Sequence, residues 1–175
     1  FSFTQAFTQI NPDDITIVRD KWGVPHIYGK TDADAAYGLA WAHCEDDFEN
    51  VQAALLAMKG RLSEVDGVSG AILDVGVFVL HADKIVEEQF DTAFSPEFRK
   101  VLAGSVQGLN DYAAAHPKKV AKKGIFPTTE KEVIKGYVLA QGLLSNTLFG
   151  IARLIDDKHV SVASSFQPQG SNAWA

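Results

Sequence analysis

A chain of 175 residues, 46% of them hydrophobic, is long enough for one domain with a sizeable core and too apolar for a disordered polypeptide. Its 16 Lys and Arg against 22 Asp and Glu give a net charge of −6 with the basic residues dispersed, which argues against a partner that binds through a phosphate backbone. No apolar run approaches the ~20 residues of a membrane span. The single cysteine, Cys44, excludes an intrachain disulfide and a thiolate metal cluster.

The chain opens on Phe1 without a methionine, which points to a processed or trimmed start and leaves export neither shown nor excluded. The first predicted element is a pair of strands. Ile15 to Arg19 alternates and is β-branched, Lys21-Trp22-Gly23 interrupts, and Val24-Pro25-His26-Ile27-Tyr28 resumes, with Pro25 favouring an edge. Thr31 then caps a helix, with Asp32 and Asp34 at its positive end. From Ala35 to about Lys59 the apolar residues Tyr37, Ala40, Trp41, Cys44, Phe48, Val51, Leu55 and Met58 recur at threes and fours, one long amphipathic helix ended by Gly60. Within it Cys44 reads as a buried, inert thiol.

A second helical pattern runs from roughly Leu73 to Phe90. Ser95-Pro96 opens a third, as cap and first helical residue, which His116-Pro117 stops near Ala115. The cluster Lys118, Lys119, Lys122 and Lys123 falls in the polar connection that follows and reads as solvated loop. Thr129 and Glu132 have capping-box spacing before a last helix, Val133 to about Leu144. The five histidines, His26, His43, His81, His116 and His159, lack metal-ligand spacing. The apolar helix faces centred on Trp41, Phe48, Leu55 and Leu139 outnumber the sheet available to cover them, so the chain reads as the front part of a larger α+β protein.

After Ile155 the sequence turns polar and irregular, as an exposed, cleavable linker does, and ends at Gly170-Ser171-Asn172. Those three residues suit a turn. They also suit a self-cleavage junction, because cutting Gly170–Ser171 would free an α-amine to act as base for the serine hydroxyl.

Asp20-Lys21-Trp22-Gly23-Val24-Pro25-His26-Ile27 resembles the N-terminal signature of the penicillin acylase family of N-terminal-nucleophile hydrolases. The likeness continues through Asp34-Ala35-Ala36-Tyr37-Gly38-Leu39-Ala40, Glu45-Asp46-Asp47-Phe48 and Gly60-Arg61-Leu62-Ser63-Glu64 to Gly170-Ser171-Asn172. The resemblance implies a precursor split into a small α and a large β subunit: residues 1–157 as the α-subunit region, 158–170 as a spacer, 171–175 as the start of β. It implies an αββα sandwich, to which this mainly helical segment gives outer helices and an N-terminal strand. It implies amide hydrolysis by Ser171, with oxyanion donors on the β subunit and a periplasmic or secreted location.

His26 is then expected to be structural, and Glu45, Asp46 and Asp47 to form a solvated face with one partner for Arg61. No cofactor is expected, although the family leaves room for a structural calcium held mostly by the β subunit. The acyl pocket should draw on Leu144, Asn146, Thr147, Leu148 and Phe149. Thr147 and Leu148 stand where phenylacetyl-specific members carry arginine and phenylalanine, so the wall resembles the branch of acyl-homoserine lactone acylases and aculeacin acylase. The expected partners are therefore the β subunit and a small acyl amide with an aliphatic chain. A β-lactam acylase and a catalytically idle relative that only binds are the alternatives.

Overall fold

In the computed structural model of the chain, residues 9–145 and Gly150 are described. Strands β1 (Thr16–Arg19) and β2 (Pro25–Tyr28) are followed by helices α1 (Asp32–Met58), α2 (Ser63–Asp66), α3 (Val68–Val79), α4 (Ala82–Ala93), α5 (Pro96–Ala115) and α6 (Glu130–Leu144), with 3-10 turns at Pro12–Asp14 and Pro117–Lys119. The strands pair antiparallel with Ile17 opposite Ile27 and Arg19 opposite Pro25. Alternation turns Ile17 and Ile27 onto α1 at Gly38, where an added Cβ would lie 2.6 Å from Ile27 Cγ2. Among the described residues this hairpin is the only sheet.

The helix starts follow the capping rules. Thr31 Oγ1 accepts from Asp34 N–H while the Asp34 carboxylate accepts from Thr31 N–H, and Thr129 with Glu132 repeats the arrangement at α6. Ser95 caps α5 with Pro96 at its first position. Two helical readings are corrected. The long helix is kinked, Asp47 leaving helical geometry at φ −153°, ψ 68° and restarting it by accepting from Asn50 N–H. The single pattern expected across Leu73 to Phe90 is two helices, because His81 takes the left-handed conformation at φ 50° and turns the chain between α3 and α4.

Helices α1 and α5 cross closely. A Cβ on Gly104 would collide with the Ala33 carbonyl, and one on Gly108 would lie 2.5 Å from the Tyr37 carbonyl oxygen. Around this crossing Cys44, Phe48, Tyr112 and Ala113 form one buried cluster, and Leu55, Leu56, Leu62 and Ile125 another. Helix α6 closes the bundle by placing Ile134 among Val86, Phe90, Leu102 and Val106, and Leu139 against Val77 and Ala82. The expectation of uncovered faces at Trp41, Phe48, Leu55 and Leu139 is thus corrected: Phe48, Leu55 and Leu139 are buried, Trp41 is half-buried, and helix covers helix. Exposed apolar residues are densest on the hairpin and on α3, with single ones such as Leu39, Val65, Phe98 and Tyr137 on the other helices and Leu143 and Leu144 at the end of α6. Cys44 is fully buried, and burial pushes its thiol up to about 11.

Candidate functional site

The signature motif builds a rigid hairpin tip. Asp20 Oδ1 accepts from Trp22 N–H at 2.8 Å and Val24 N–H at 3.0 Å, holding the turn by its side chain. The Trp22 N–H bond, with those from Val24 and His26, outweighs partial burial and holds the Asp20 carboxyl below the usual range. His26 Nε2 stands 3.5 Å from Asp20 Oδ2, so the histidine braces the turn. Arg19 Nη1 donates to Gly23 O at 2.8 Å across the same loop. Trp22, at 79% exposure, projects from the tip beneath the Lys21 ammonium.

Arg19 also fastens the hairpin to α1. Its guanidinium lies 3.1 Å from Glu45 Oε2 and 2.8 Å from Asp46 Oδ1. The kink at Asp47 falls beside these carboxylates, and two consecutive helix positions reach one cation, with Trp41 Nε1 donating to the other Glu45 oxygen. The expected pairing of this acidic turn with Arg61 is corrected: Arg61 binds Glu64 and the carbonyls of Lys123 and Gly124, clamping the loop before α6. Both partnerships depend on contacts between distant residues, which local spacing does not report.

Of the residues expected to line the acyl pocket, Leu144 is described. It is the last residue of α6 and is 77% exposed, with Leu143 partly exposed beside it. Asn146, Thr147, Leu148, Phe149, Gly170 and Ser171 lie outside the described residues, as does the spacer at 158–170. Glu132, at the opposite end of α6, accepts from Lys59 Nζ at the end of α1, from Thr128 Oγ1 and from Thr129 N–H, which ties the first turn of α6 to α1.

A groove of about 1220 Å³ runs between residues 9–14, the start of α1, α5 and the start of α6. Its rim includes the Lys30–Asp14 ion pair, and its floor includes Asn110, which exchanges two bonds with the Thr128 backbone. Gln107 and Asp111, with Tyr37 donating to Asp111 at 3.0 Å, complete a polar network that the sequence reading did not single out. Burial and the Asp111 carboxylate together raise the Tyr37 hydroxyl above its usual pKa. These groups are engaged in holding elements together, and the groove lies at the N-terminal end of α6, roughly 20 Å along the helix from Leu144. Among the described residues no three His, Cys, Asp or Glu side chains converge as metal donors. No helix among them is long and apolar enough to cross a membrane.

A helical segment with one N-terminal hairpin, an Asp20-organised signature loop and a C-terminal Gly-Ser-Asn is matched by the profile of the family described as penicillin amidase, over residues 14–175. The chain belongs to the penicillin amidase family, a family of acylases. It is similar to the penicillin acylase 2 proenzyme of Pseudomonas sp. (strain SE83), 30% identical over 101 residues, which cover 58% of this chain and 13% of that protein. It is similar over 92% of its length to the acyl-homoserine lactone acylase QuiP of Pseudomonas aeruginosa, at 26% identity and 19% of that protein. The chain therefore spans roughly an eighth to a fifth of these relatives. Its fold matches a chain of the thermostable penicillin G acylase from Alcaligenes faecalis with a TM-score of 0.63 and 19% identity, covering 81% of this chain and 79% of that one.

Proposed function

We propose that this chain is the α-subunit region and nucleophile junction of a precursor acylase that removes an aliphatic acyl group from an amine. The observation that carries the reading is the extent of the family match, which runs unbroken from the hairpin through Gly170-Ser171-Asn172 to residue 175. In this reading residues 1–157 form the α subunit, 158–170 a spacer, and Ser171 opens the β subunit after self-cleavage. The Ser171 hydroxyl attacks the substrate carbonyl while its proton passes through a water to the freed α-amine. The amine product leaves as the acyl-serine ester forms, and water then hydrolyses the ester. Oxyanion donors come from the polypeptide beyond residue 175. The precursor is exported to the periplasm or the medium.

In this reading the acyl pocket draws on Leu144, Asn146, Thr147, Leu148 and Phe149, residue types that include neither a cation nor a paired aromatic clamp, which favours an aliphatic substrate such as an acyl-homoserine lactone. The breadth of the QuiP likeness supports the same reading. A β-lactam acylase is the second reading, supported by the likeness to penicillin acylase 2. The test is a hydrolysis panel of acyl amides of graded chain length with the full precursor product. The specificity constant should rise about fourfold per methylene until the pocket is full, since each buried methylene contributes ~0.8 kcal/mol. A preference for phenylacetyl or glutaryl amides over every alkyl chain would transfer the assignment to the β-lactam reading. Ser171→Ala should abolish hydrolysis of the whole panel.

A further inference from the structure

Residues 63–69, the corner that joins α2 to α3, are all exposed. The base of the corner is pinned. Asp74 of α3 accepts from Leu62 N–H at 2.7 Å and from Ser63 N–H at 2.9 Å, and Gly70 packs so closely that an added Cβ would lie 2.7 Å from the Leu62 carbonyl carbon. The tip is held far less. Helix α2 is a single turn with no buried residue and no side-chain cap, and its end is held by Asp66 N–H donating to Leu62 O and Gly67 N–H donating to Ser63 O, each at 3.0 Å.

Asp66 is the one aspartate in the sequence that is followed by glycine. An aspartyl carboxyl can close a five-membered ring on the nitrogen of the next residue, and a side chain on that residue hinders the approach; glycine has none. Gly67 takes φ 57°, ψ −134°, a conformation that L side chains rarely adopt, and no atom stands within 4 Å of where its Cβ would be. The approach is therefore unobstructed. What has to break is one exposed bond, Gly67 N–H to Ser63 O, and the frayed end of a single helical turn opens at low cost.

We propose that Asp66–Gly67 is a self-modification site, at which the folded protein converts Asp66 to isoaspartate. The Gly67 nitrogen bonds to Cγ of the protonated Asp66 carboxyl, its own proton and the carboxyl hydroxyl leave as water, and a succinimide results. Water then adds to the ring carbonyl that came from the Asp66 main chain and breaks its bond to the Gly67 nitrogen, which takes the proton. The chain now runs through Cγ and is one methylene longer, and the former main-chain carbonyl has become the free carboxylate. The two steps exchange one water, and no oxidant or cofactor enters. The added length is taken up at the exposed corner, because Asp74 and Gly70 hold its base and leave Leu62 in its buried cluster.

The test incubates the full-length protein near neutral pH and locates isoaspartate by electron-transfer fragmentation of its peptides. Asp32 and Asp91, exposed like Asp66 but followed by Ala33 and Thr92, are the internal comparisons, and a synthetic peptide of residues 63–70 gives the rate of the unconstrained chain. One exposed backbone bond slows the reaction by a factor of about ten at most, so position 66 should react no more than about tenfold slower than the peptide and at least about tenfold faster than positions 32 and 91. Failure of either ratio would overturn the inference, because the fold would then protect the corner or the corner would have no reactivity of its own. Asp66→Glu, which could close only a six-membered ring, should show no signal, and a signal that persists would place the reaction elsewhere. Isoaspartate confined to molecules whose Cys44 reacts with a maleimide would overturn it as well: that thiol is fully buried in the native fold, so the modification would then follow unfolding.

Discussion

Gln107 and Ile10, 97 residues apart, exchange both backbone hydrogen bonds of the isoleucine: Ile10 N–H donates to Gln107 Oε1 at 2.8 Å, and Gln107 Nε2 donates to Ile10 O at 2.9 Å. One side-chain amide on α5 thereby treats the segment before the hairpin as a neighbouring strand would. The same Nε2 stands 3.3 Å from Asp111 Oδ2, which Tyr37 of α1 also reaches, so the N-terminal segment, α1 and α5 meet in one network. Gln107→Leu keeps the bulk and removes both bonds. Net hydrogen bonds of this kind contribute about 1–2 kcal/mol together, so the Ile10 amide should exchange roughly tenfold faster, and an unchanged rate would show that other contacts hold the segment.

The α1–α5 crossing should be intolerant of one methyl group at Gly104. An added Cβ there meets the Ala33 backbone, which cannot turn aside as a side chain can. At Gly136 the corresponding Cβ meets only the end of the Met58 side chain, which can move. Gly104→Ala should therefore cost about 3 kcal/mol or prevent folding, and Gly136→Ala less than about 1 kcal/mol, read from denaturant unfolding of the whole protein. Equal costs would mean that the helices part more easily than the structure implies.

Glu132 gives the bundle a pH dependence with a definite sign. Burial raises its carboxyl pKa, but the hydrogen bond and charge of Lys59, with the Thr129 N–H and the Thr128 hydroxyl, outweigh burial and leave it below the ordinary value. A carboxyl depressed in the folded state contributes stability above its unfolded pKa of about 4.3, and that stability is lost as pH falls through the folded value. Between pH 5 and pH 3 the wild type should lose stability faster than Glu132→Gln. Parallel loss in the two proteins would remove Glu132 from the account.

His26 sits in the signature yet faces Asp20 and solvent, bracing the hairpin turn. His26→Ala should lower the yield of folded, matured protein and leave the turnover of what matures close to normal. A variant that folds and matures normally but loses more than about a thousandfold in turnover would make His26 part of the chemistry.

What was legible in the sequence was local. The caps at Thr31, Ser95 and Thr129, the stops at Gly60 and His116-Pro117, and the two short strands each need only a few consecutive residues, and each stands where the spacing predicts it. The kink at Asp47 and the left-handed turn at His81 were not legible. Neither is a glycine or proline, and each conformation is maintained by packing and hydrogen bonds around it. The cover of Phe48 and Leu55 by α5 and the loop before α6 was missed for the same reason, since periodicity shows that a face is apolar without showing what meets it. Of the candidate site, the signature loop is visible as geometry, whereas the acyl wall after Leu144 and the Ser171 junction rest on residue types and on the family match.

The central claim is that Ser171 becomes an N-terminus, and intact mass of the purified full-length gene product tests it most directly. The account predicts a large chain whose first residue is Ser171, a small chain ending before or at Gly170, and a single uncut chain with no hydrolytic activity for Ser171→Ala. A fully active preparation in which the Gly170–Ser171 bond is intact would contradict it.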